Sequence, residues 1–170
     1  IAISGVGKVG SKLSKLLFEK KANLIVSNIG RDPIDQLKHE KISFMESDIN
    51  SIFEQECDII SPCALGRAIN SETKKKLKCK AIVGAANNQL DKSETAEWLK
   101  ENNIFYAPDY LVNSGGVIAI SCEINNSEDT LDDQLNKISD KVLLLLKELK
   151  KSSLSADKIV EDLAWKRINT

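Results

Sequence analysis

Three glycines near the start of the chain are spaced so that their backbone could hold a phosphate group. Gly5, Gly7 and Gly10 form the pattern G-x-G-x-x-G, directly after the apolar run at residues 1–4 and directly before a helical stretch at residues 8–21. In this pattern Gly5 allows a tight turn, Gly7 lets the backbone approach a pyrophosphate and Gly10 permits close helix–strand packing. The helix would direct its free N–H groups at the phosphates. In this context the spacing predicts dinucleotide binding, whereas a plain glycine turn is the simpler alternative.

The residue that ends the second predicted strand bears on which dinucleotide the site would accept. Sites of this kind carry an acidic side chain about 20 residues further on, where it binds the adenosine ribose hydroxyls. Asn28 occupies that position, and its amide can hydrogen-bond a ribose without repelling a 2′-phosphate. Arg31 is close enough in sequence to pair with such a phosphate. We therefore expect weaker discrimination in favour of NAD than an aspartate would give, with NADP use possible. The alternative is that Asn28 is a neutral replacement and Arg31 a solvated loop charge.

Three later segments place small residues and amides directly after predicted strands. They lie at residues 62–66, 84–89 and 107–117. The carboxyl ends of the strands are where open parallel sheets bind ligands. Small and amide side chains there suit a flat, uncharged nicotinamide ring, although each segment alone could be an ordinary turn.

The elements that would position these residues alternate along the chain. Predicted strands cover residues 1–4, 24–28, 42–45, 58–61, 81–84 and 104–106. Predicted helices between them cover residues 8–21, 33–38, 50–55, 71–78 and 93–102. The strands are continuously apolar, as strands covered on both faces tend to be. This alternation predicts an α/β fold with a doubly wound parallel sheet (Rossmann) and C-terminal helices.

After Tyr106 the pattern becomes helical. Helices are predicted at residues 112–124, broken by Gly115 and Gly116, at 131–149 and at about 156–168. We expect residues 1–125 to form the dinucleotide-binding core and residues 126–170 to be C-terminal helices of the same domain. One face of the long helix is apolar, with Val142, Leu143, Leu145, Leu146 and Leu149. That face is expected either to pack against the sheet or to dock on another domain.

Composition excludes several classes of protein. The chain has 170 residues, of which 42% are hydrophobic, enough for one domain with a sizeable core. A net charge of −1 argues against nucleic acid or an anionic membrane as the main partner. No apolar stretch is long enough to span a bilayer. The four cysteines form no CxxC pair, and the single histidine, His39, is distant from them in sequence, so we expect no metal site. We expect the cysteines to be reduced thiols in a cytoplasmic protein.

Several motifs together resemble the coenzyme domain of the Glu/Leu/Phe/Val dehydrogenase family, and most closely its leucine dehydrogenase branch. The resemblance covers residues 1 to about 123 and extends more loosely to the C-terminus. The motifs that carry it are residues 5–10 (GVGKVG), 57–59 (CDI), 62–66 (PCALG), 88–90 (NQL), 106–110 (YAPDY) and 113–117 (NSGGV).

The resemblance implies oxidative deamination of an L-amino acid to a 2-oxo acid and ammonia, with NAD or NADP. It implies that Ala64 and Leu65 flank the riboses, that Asn88 contacts the nicotinamide end and that Asn113 lies near nicotinamide and substrate. Val117 and Ile120 match positions that line the substrate side-chain pocket, and their aliphatic character suits Leu, Ile or Val. The cofactor residues so assigned are Gly5, Gly7, Lys8, Val9, Gly10, Asn28, Arg31, Ala64, Leu65, Asn88 and Asn113.

The resemblance also implies that the catalytic residues lie elsewhere. In this family two lysines and an aspartate come from an N-terminal substrate domain, and Ile1 already lies within the first predicted strand. We therefore expect no catalytic residue in this chain, which alone would bind a dinucleotide without turnover. Its substrate would be shared with the N-terminal domain of a homo-oligomeric enzyme. The alternative is a non-catalytic nucleotide-sensing Rossmann module, which shares the glycine loop but not the motifs at 106–110 and 113–117.

Overall fold

The computed structural model describes residues 1–169, and a parallel six-stranded sheet lies at its centre. The strands are β1 Ala2–Ser4, β2 Ile25–Ser27, β3 Met45–Glu46, β4 Ile59–Pro62, β5 Ala81–Ile82 and β6 Phe105–Tyr106. They lie in the order β3-β2-β1-β4-β5-β6. Strand β1 pairs in parallel with both β2 and β4, so the order reverses beside it and opens a crevice at the carboxyl ends. The predicted doubly wound α/β fold is confirmed.

Seven α-helices accompany the sheet in residues 1–169. They are α1 Lys8–Glu19, α2 Asp32–His39, α3 Glu94–Glu101, α4 Asp109–Val112, α5 Gly115–Ile124, α6 Leu131–Leu149 and α7 Ala156–Ile168. The bounds of α6 and α7 coincide with those expected from the sequence. None of the helices in residues 1–169 is both long and apolar enough to cross a membrane.

Two predicted helices, at residues 50–55 and 71–78, are wrong in type. Each is a single 3₁₀ turn, at Ile52–Glu54 and Thr73–Lys76. Before the second turn, the Asn70 side-chain oxygen accepts hydrogen bonds from the backbone N–H groups of the second and third residues after it, at 3.0 and 3.1 Å. Because this cap closes one turn locally and the backbone is extended again at Leu77, the segment does not propagate as an α-helix.

The predicted helix at 112–124 is interrupted earlier than expected. The break falls at Asn113 and Ser114, between α4 and α5, and not at the two glycines. The backbone N–H of Asn113 donates to the Asp109 carbonyl at 2.8 Å and ends α4. Gly115 begins α5, where a β-carbon would come within 3.3 Å of the Leu135 side chain on α6. This glycine therefore lets the two helices approach closely.

The third strand also differs from the expectation of residues 42–45. The backbone N–H of Ile42 donates to the Leu37 carbonyl at the end of α2, at 3.0 Å, so the chain is still turning there. Pairing with the neighbouring strand starts only when Met45 donates to the Leu24 carbonyl at 2.8 Å. The strand is therefore shorter and begins three residues later.

Both faces of the sheet are buried, which explains the continuous apolar runs. One core cluster contains Ala2, Ile52, Ile60, Ile69, Ile82, Leu99 and Tyr106. The other contains Ile3, Val6, Leu24, Val26, Ile34 and Leu37. Successive residues of β1, Ala2 and Ile3, enter opposite clusters, as the two-residue period of a strand requires. The two layers hold β1 and its following loop rigidly in the middle of the sheet.

The C-terminal helices form a third, smaller cluster beside β6. Leu145 is fully buried with Ala156 and Ile159, and Phe105 and Leu111 pack against them. The expected continuous apolar face is only partly correct, because Leu143 is 56% exposed while Leu145 is buried. Helix α6 lies against α4, α5 and α7 at the edge of the sheet and not across its face.

Candidate functional site

The glycine loop is folded tightly on itself and on the loop after β4. Gly5 has a φ of +95°, and a β-carbon on it would lie 2.5 Å from the Ala64 β-carbon. A β-carbon on Gly10 would lie 2.0 Å from the Gly5 carbonyl oxygen. At Gly7, by contrast, an added β-carbon would meet no atom of residues 1–169 within 4 Å. Two glycines therefore serve packing, and the third keeps a space open at the start of α1.

That open space faces the N-terminus of α1. Gly7, Lys8 and Val9 are all exposed, while Gly10 and Val6 on either side are buried. The first turn of α1 carries no acidic side chain that would compete for its N–H groups. A helix N-terminus of this kind is suited to an anionic group.

Asn28 joins the glycine loop to the loop after β2. Its side-chain oxygen accepts a hydrogen bond from the Val6 backbone N–H at 3.0 Å, and its side-chain nitrogen donates to the Gly30 carbonyl at 2.9 Å. The amide oxygen has a second lone pair, which leaves room for one hydroxyl donor. Asn28 thus shapes the loop in addition to lying where the ribose was predicted.

Arg31 is exposed but paired. Its guanidinium bonds to Glu46 at the end of β3 and lies 3.3 Å from the Asp35 carboxylate. Glu46 also accepts from the Lys38 ammonium at 3.2 Å, and this bond together with Arg31 lowers the Glu46 pKa. The side chain is therefore exposed and paired with two carboxylates and is not an unpaired solvated charge.

An apolar cleft of about 220 Å³ lies beside the glycine loop. Its walls include Ile29, Ile49, Phe53, Ala64 and Leu65. Ile29 and Leu65 are 79% and 74% exposed, an unusual position for aliphatic side chains of this size. A narrow cleft with aliphatic and aromatic walls is suited to a flat ring. Gly5, Asn28, Ala64 and Leu65, predicted separately from sequence, all line it.

The other predicted residues form a second group, on the loops after β5 and β6. Asn88 has a φ of +52°, and its backbone N–H donates to the Asp109 carboxylate at 2.7 Å. Its carbonyl accepts from the Arg67 backbone N–H at 2.6 Å, which ties it to the loop after β4. The Asn113 amide donates to the Asn87 side-chain oxygen at 2.5 Å. Three loops far apart in sequence are thereby held together.

Asp109 joins these loops, and sequence reasoning assigned it no role of its own. Its other carboxylate oxygen accepts from the Tyr106 hydroxyl at 2.9 Å. Burial and the neighbouring Asp109 raise the Tyr106 pKa above its usual range, so the hydroxyl remains a donor. The available signal was an acidic residue directly after Pro108 at the end of a strand, a position that favours capping of the following helix.

Gln89 is a second residue that sequence reasoning did not assign. It is fully buried, and its side-chain nitrogen donates to the carbonyls of Gly84 and Ala86 at 2.7 and 2.9 Å. Its side-chain oxygen has no hydrogen-bond partner within residues 1–169. Through these two hydrogen bonds, the buried Gln89 side chain stabilises the conformation of the loop after β5.

Val117 and Ile120 lie on the first turns of α5, shortly after Asn113. They are 72% and 58% exposed. Both aliphatic side chains are thus available to a ligand or another part of the protein.

Known proteins resemble this chain closely over nearly its whole length. The family model for glutamate/leucine/phenylalanine/valine dehydrogenase matches residues 25–159. The leucine dehydrogenase of Thermoactinomyces intermedius is 40% identical over 169 residues, which cover 95% of this chain and 45% of that protein. The phenylalanine dehydrogenase of the same organism is 39% identical over 168 residues, covering 94% and 45%.

A solved structure shows the same likeness in three dimensions. The L-tryptophan dehydrogenase from Nostoc punctiforme superposes with a TM-score of 0.93 at 31% identity, over 98% of this chain and 51% of that one. The chain therefore spans about half the length of the relatives it matches. The resemblance inferred from the motifs is confirmed: the chain belongs to the glutamate/leucine/phenylalanine/valine dehydrogenase family.

Proposed function

We propose that this chain supplies the dinucleotide-binding domain of an NAD(P)-dependent L-amino-acid dehydrogenase. The enzyme would oxidatively deaminate an apolar, leucine-like amino acid to its 2-oxo acid and ammonia. The observation that carries the proposal is the open backbone at Gly7, flanked by the tightly packed Gly5 and Gly10 and adjoining an apolar cleft. Membership of the family supports the interpretation of this geometry as a dinucleotide site of an amino-acid dehydrogenase.

The residues present fit a dinucleotide in an extended pose across the carboxyl edge. Backbone N–H groups at Gly7, Lys8 and Val9 would hold the pyrophosphate, because they lie exposed at a helix N-terminus. The adenine would enter the cleft between Ile29 and Leu65. When bound, the nicotinamide ring accepts a hydride from the α-carbon of the amino acid.

The second group of loops would position the nicotinamide end. Asn88 and Asn113 offer amide groups that hydrogen-bond without changing charge near neutral pH. Asp109 holds the backbone of Asn88 in its left-handed conformation, which most residues adopt only at a cost. The chain's contribution at this end is to orient the ring and to exclude water.

The proton chemistry requires a group that these loops do not supply. The ionisable side chains of the loops after β4 and β5 are Cys63, Arg67, Glu72, Asp91 and Lys92, and Asp109 follows β6. Asp109 already accepts two hydrogen bonds, and Asp91 accepts one from the Thr95 hydroxyl at 2.6 Å. Lys92 is exposed, so none of these three is a buried base. A base that titrates near neutral pH, such as a buried lysine, would come from outside these 170 residues.

Val117 and Ile120 support an aliphatic substrate. Their exposed side chains follow Asn113 closely and would pack against an apolar side chain, while a second carboxylate there would lose its hydration without a partner. The similar proteins are named as leucine, phenylalanine and tryptophan dehydrogenases, all with apolar amino acids in their names. We place a branched-chain amino acid first among the substrates.

The proposal is tested with the full-length protein. We expect NADH or NADPH to bind in a fluorescence titration, and reduction of the oxidised cofactor with L-leucine to exceed that with L-glutamate at least tenfold. Absence of any dinucleotide binding would overturn the proposal. Binding without turnover of any L-amino acid would instead favour a nucleotide-sensing module.

A further inference from the structure

A second cavity continues the apolar cleft at the carboxyl ends of β2 and β3. It has a volume of about 380 Å³ and is lined by Asn28, Glu46, Ser47, Asp48 and Ile49. Asn28 and Ile49 also line the cleft, so the two cavities share a wall. An adenine ring in the cleft would direct its ribose past Asn28 toward this polar recess. The groups in the recess would then meet the ribose 2′-position.

The recess carries more negative than positive charge. Glu46 pairs with Arg31 and with Lys38, and Arg31 also contacts Asp35. Asp48 accepts a hydrogen bond from the backbone N–H of Asn50 at 2.8 Å, so its carboxylate stays beside Ser47. The lining of the recess itself thus carries two carboxylates, those of Glu46 and Asp48, and no cationic side chain. The Lys38 ammonium and the Arg31 guanidinium lower the pKa of Glu46.

Asn28 by itself cannot distinguish the two cofactors by charge. Its amide is neutral, and its side-chain nitrogen is already bonded to the Gly30 carbonyl. The free lone pair on its oxygen can accept a hydrogen bond from a 2′-hydroxyl, and the second N–H of its amide can donate to a hydroxyl or to a phosphate oxygen, so neither group separates the two cofactors by charge. Discrimination by charge must therefore come from another element of the sheet.

We propose that Glu46 on β3 is the residue that selects NAD over NADP, by holding Arg31 and filling the recess with negative charge. This inference rests on the proposed dinucleotide function. A 2′-phosphate carries between one and two negative charges at neutral pH. To reach Arg31 it must displace the Glu46 carboxylate and remain close to it and to Asp48. A 2′-hydroxyl meets no such opposition and can donate to a carboxylate in the recess.

The expected selectivity is moderate because the recess is open to water. The Glu46 side chain is 38% exposed and that of Arg31 is 59% exposed, so salt screens both. We expect NADH to bind about tenfold more tightly than NADPH at low ionic strength. The ratio should shrink as salt is added, which a purely steric exclusion would not show.

The test uses the full-length protein and two substitutions. Dissociation constants for NADH and NADPH are measured by nicotinamide fluorescence in the wild type, in Glu46→Gln and in Glu40→Gln. Glu40 is a matched control, because its carboxylate pairs with Lys15 at 2.6 Å but does not line the recess. We expect E46Q to bring the two affinities within about threefold by strengthening NADPH binding, and E40Q to retain the wild-type ratio.

A second variant separates the two roles given to Glu46. If Arg31, once released, holds the phosphate, then R31A combined with E46Q should lose the gain in NADPH affinity. Equal affinities in the wild type, or an unchanged ratio in E46Q, would overturn the assignment of Glu46. Failure of both cofactors to bind the wild type would overturn the proposed function and the selectivity with it. Thermal unfolding of each variant verifies that its fold is intact.

Discussion

The two halves of the carboxyl edge are built in different ways. The adenosine half consists of the glycine loop, residues 5–10, and the cleft around Asn28. The nicotinamide half consists of the loops after β5 and β6. Close backbone contacts shape the first half, since a β-carbon at Gly10 would lie 2.0 Å from the Gly5 carbonyl oxygen. Side-chain hydrogen bonds through Asp109 and Asn113 tie the loops of the second half together, beside one close contact at Gly84, where a β-carbon would lie 2.3 Å from the Pro62 carbonyl oxygen.

This difference determines how each half should respond to substitution. A close contact leaves no space for even one methyl group, and the surrounding backbone cannot yield cheaply. A hydrogen bond between partly exposed loops contributes about 1 kcal/mol, and water can replace part of it. We therefore expect abrupt effects in the adenosine half and graded effects in the nicotinamide half.

The largest effect is expected from Gly10→Ala in the adenosine half. The added methyl group would lie 2.0 Å from the Gly5 carbonyl oxygen and 3.4 Å from the Cys63 β-carbon, so the start of α1 must move away from the backbone of Gly5. We expect the free energy of unfolding to fall by about 3 kcal/mol, at the upper end of the usual range for overpacking. Thermal unfolding followed by circular dichroism measures this. An unchanged melting temperature would contradict the role assigned to the close contact.

Gly7→Ala is the matched substitution in the same loop. Its methyl group would meet no atom of residues 1–169 within 4 Å, and the φ of −67° suits alanine. The fold should be unaffected, whereas the methyl group would occupy the space proposed for the pyrophosphate. We expect NADH affinity to fall at least about tenfold, a cost of roughly 1.4 kcal/mol. Wild-type affinity in this variant would argue against a pyrophosphate at Gly7.

In the nicotinamide half we expect an intermediate effect from Asp109→Asn. The amide replaces one of two acceptor oxygens that face the Asn88 N–H and the Tyr106 hydroxyl. A donor would then oppose a donor, with a loss of about 1–2 kcal/mol in unfolding free energy. NADH affinity should fall several-fold, because the loop after β5 loses its attachment.

Tyr106→Phe is the control for this substitution. It removes the hydroxyl donor but leaves the Asp109 contact with the Asn88 backbone in place. We expect a similar loss of stability with little change in NADH affinity. If both variants weaken NADH binding equally, the hydrogen bond between Asp109 and the Asn88 backbone does not determine the affinity for the cofactor.

The smallest effect concerns a carboxylate behind the nicotinamide half. Burial, together with Asp109 and Glu161, raises the pKa of Asp157 from 3.8 to about 6. A raised folded-state pKa means that stability present at low pH is lost as the pH rises through about 4 to 6. Asp157→Asn should therefore stabilise the protein above this window. The expected gain is about 1 kcal/mol, reduced by solvent screening and by the N-terminus of α7.

Chemical unfolding of the wild type and D157N at about pH 7.5 and about pH 4.5 tests this expectation. The gain should be present at the higher pH and shrink at the lower one. Asp162→Asn is the control, because that exposed carboxylate lies 3.4 Å from Lys158 and its loss should bring no gain. A pH-independent gain in D157N would mean that charge is not its cause.

Much of the fold could be predicted because its signals are local. Apolar periodicity determined the bounds of α6 and α7, and the alternation of elements determined the strand sequence of a doubly wound sheet. Errors arose where a local cap competes with helix propagation, as at Asn70, or where the chain is still turning, as at Ile42. These features depend on single hydrogen bonds that periodicity does not reveal.

In the candidate site, too, the features that depend on local sequence could be predicted, and those that depend on distant contacts could not. The glycine loop could be predicted from the spacing of its glycines, because the close contacts of Gly5 and Gly10 are with atoms of the same short segment or of the adjacent loop. Asp109 and Asn88 are 21 residues apart, and Asn113 and Asn87 are 26 residues apart. The pairing of Arg31 with Glu46 likewise joins the start of α2 to β3. No spacing rule connects such residues, so their roles became visible only in the folded chain.

The sequence by itself determined the class of fold, the family and the position of the glycine loop, since all three follow from residue types at short range. The tertiary structure alone decided which side chains face one another across the carboxyl edge. The fold places Glu46 beside Arg31, and it brings the Asp109 carboxylate to the backbone N–H of Asn88. The physical reason is that a parallel sheet brings the ends of sequence-distant strands to one edge, where hydrogen bonds and charges depend on distance in space.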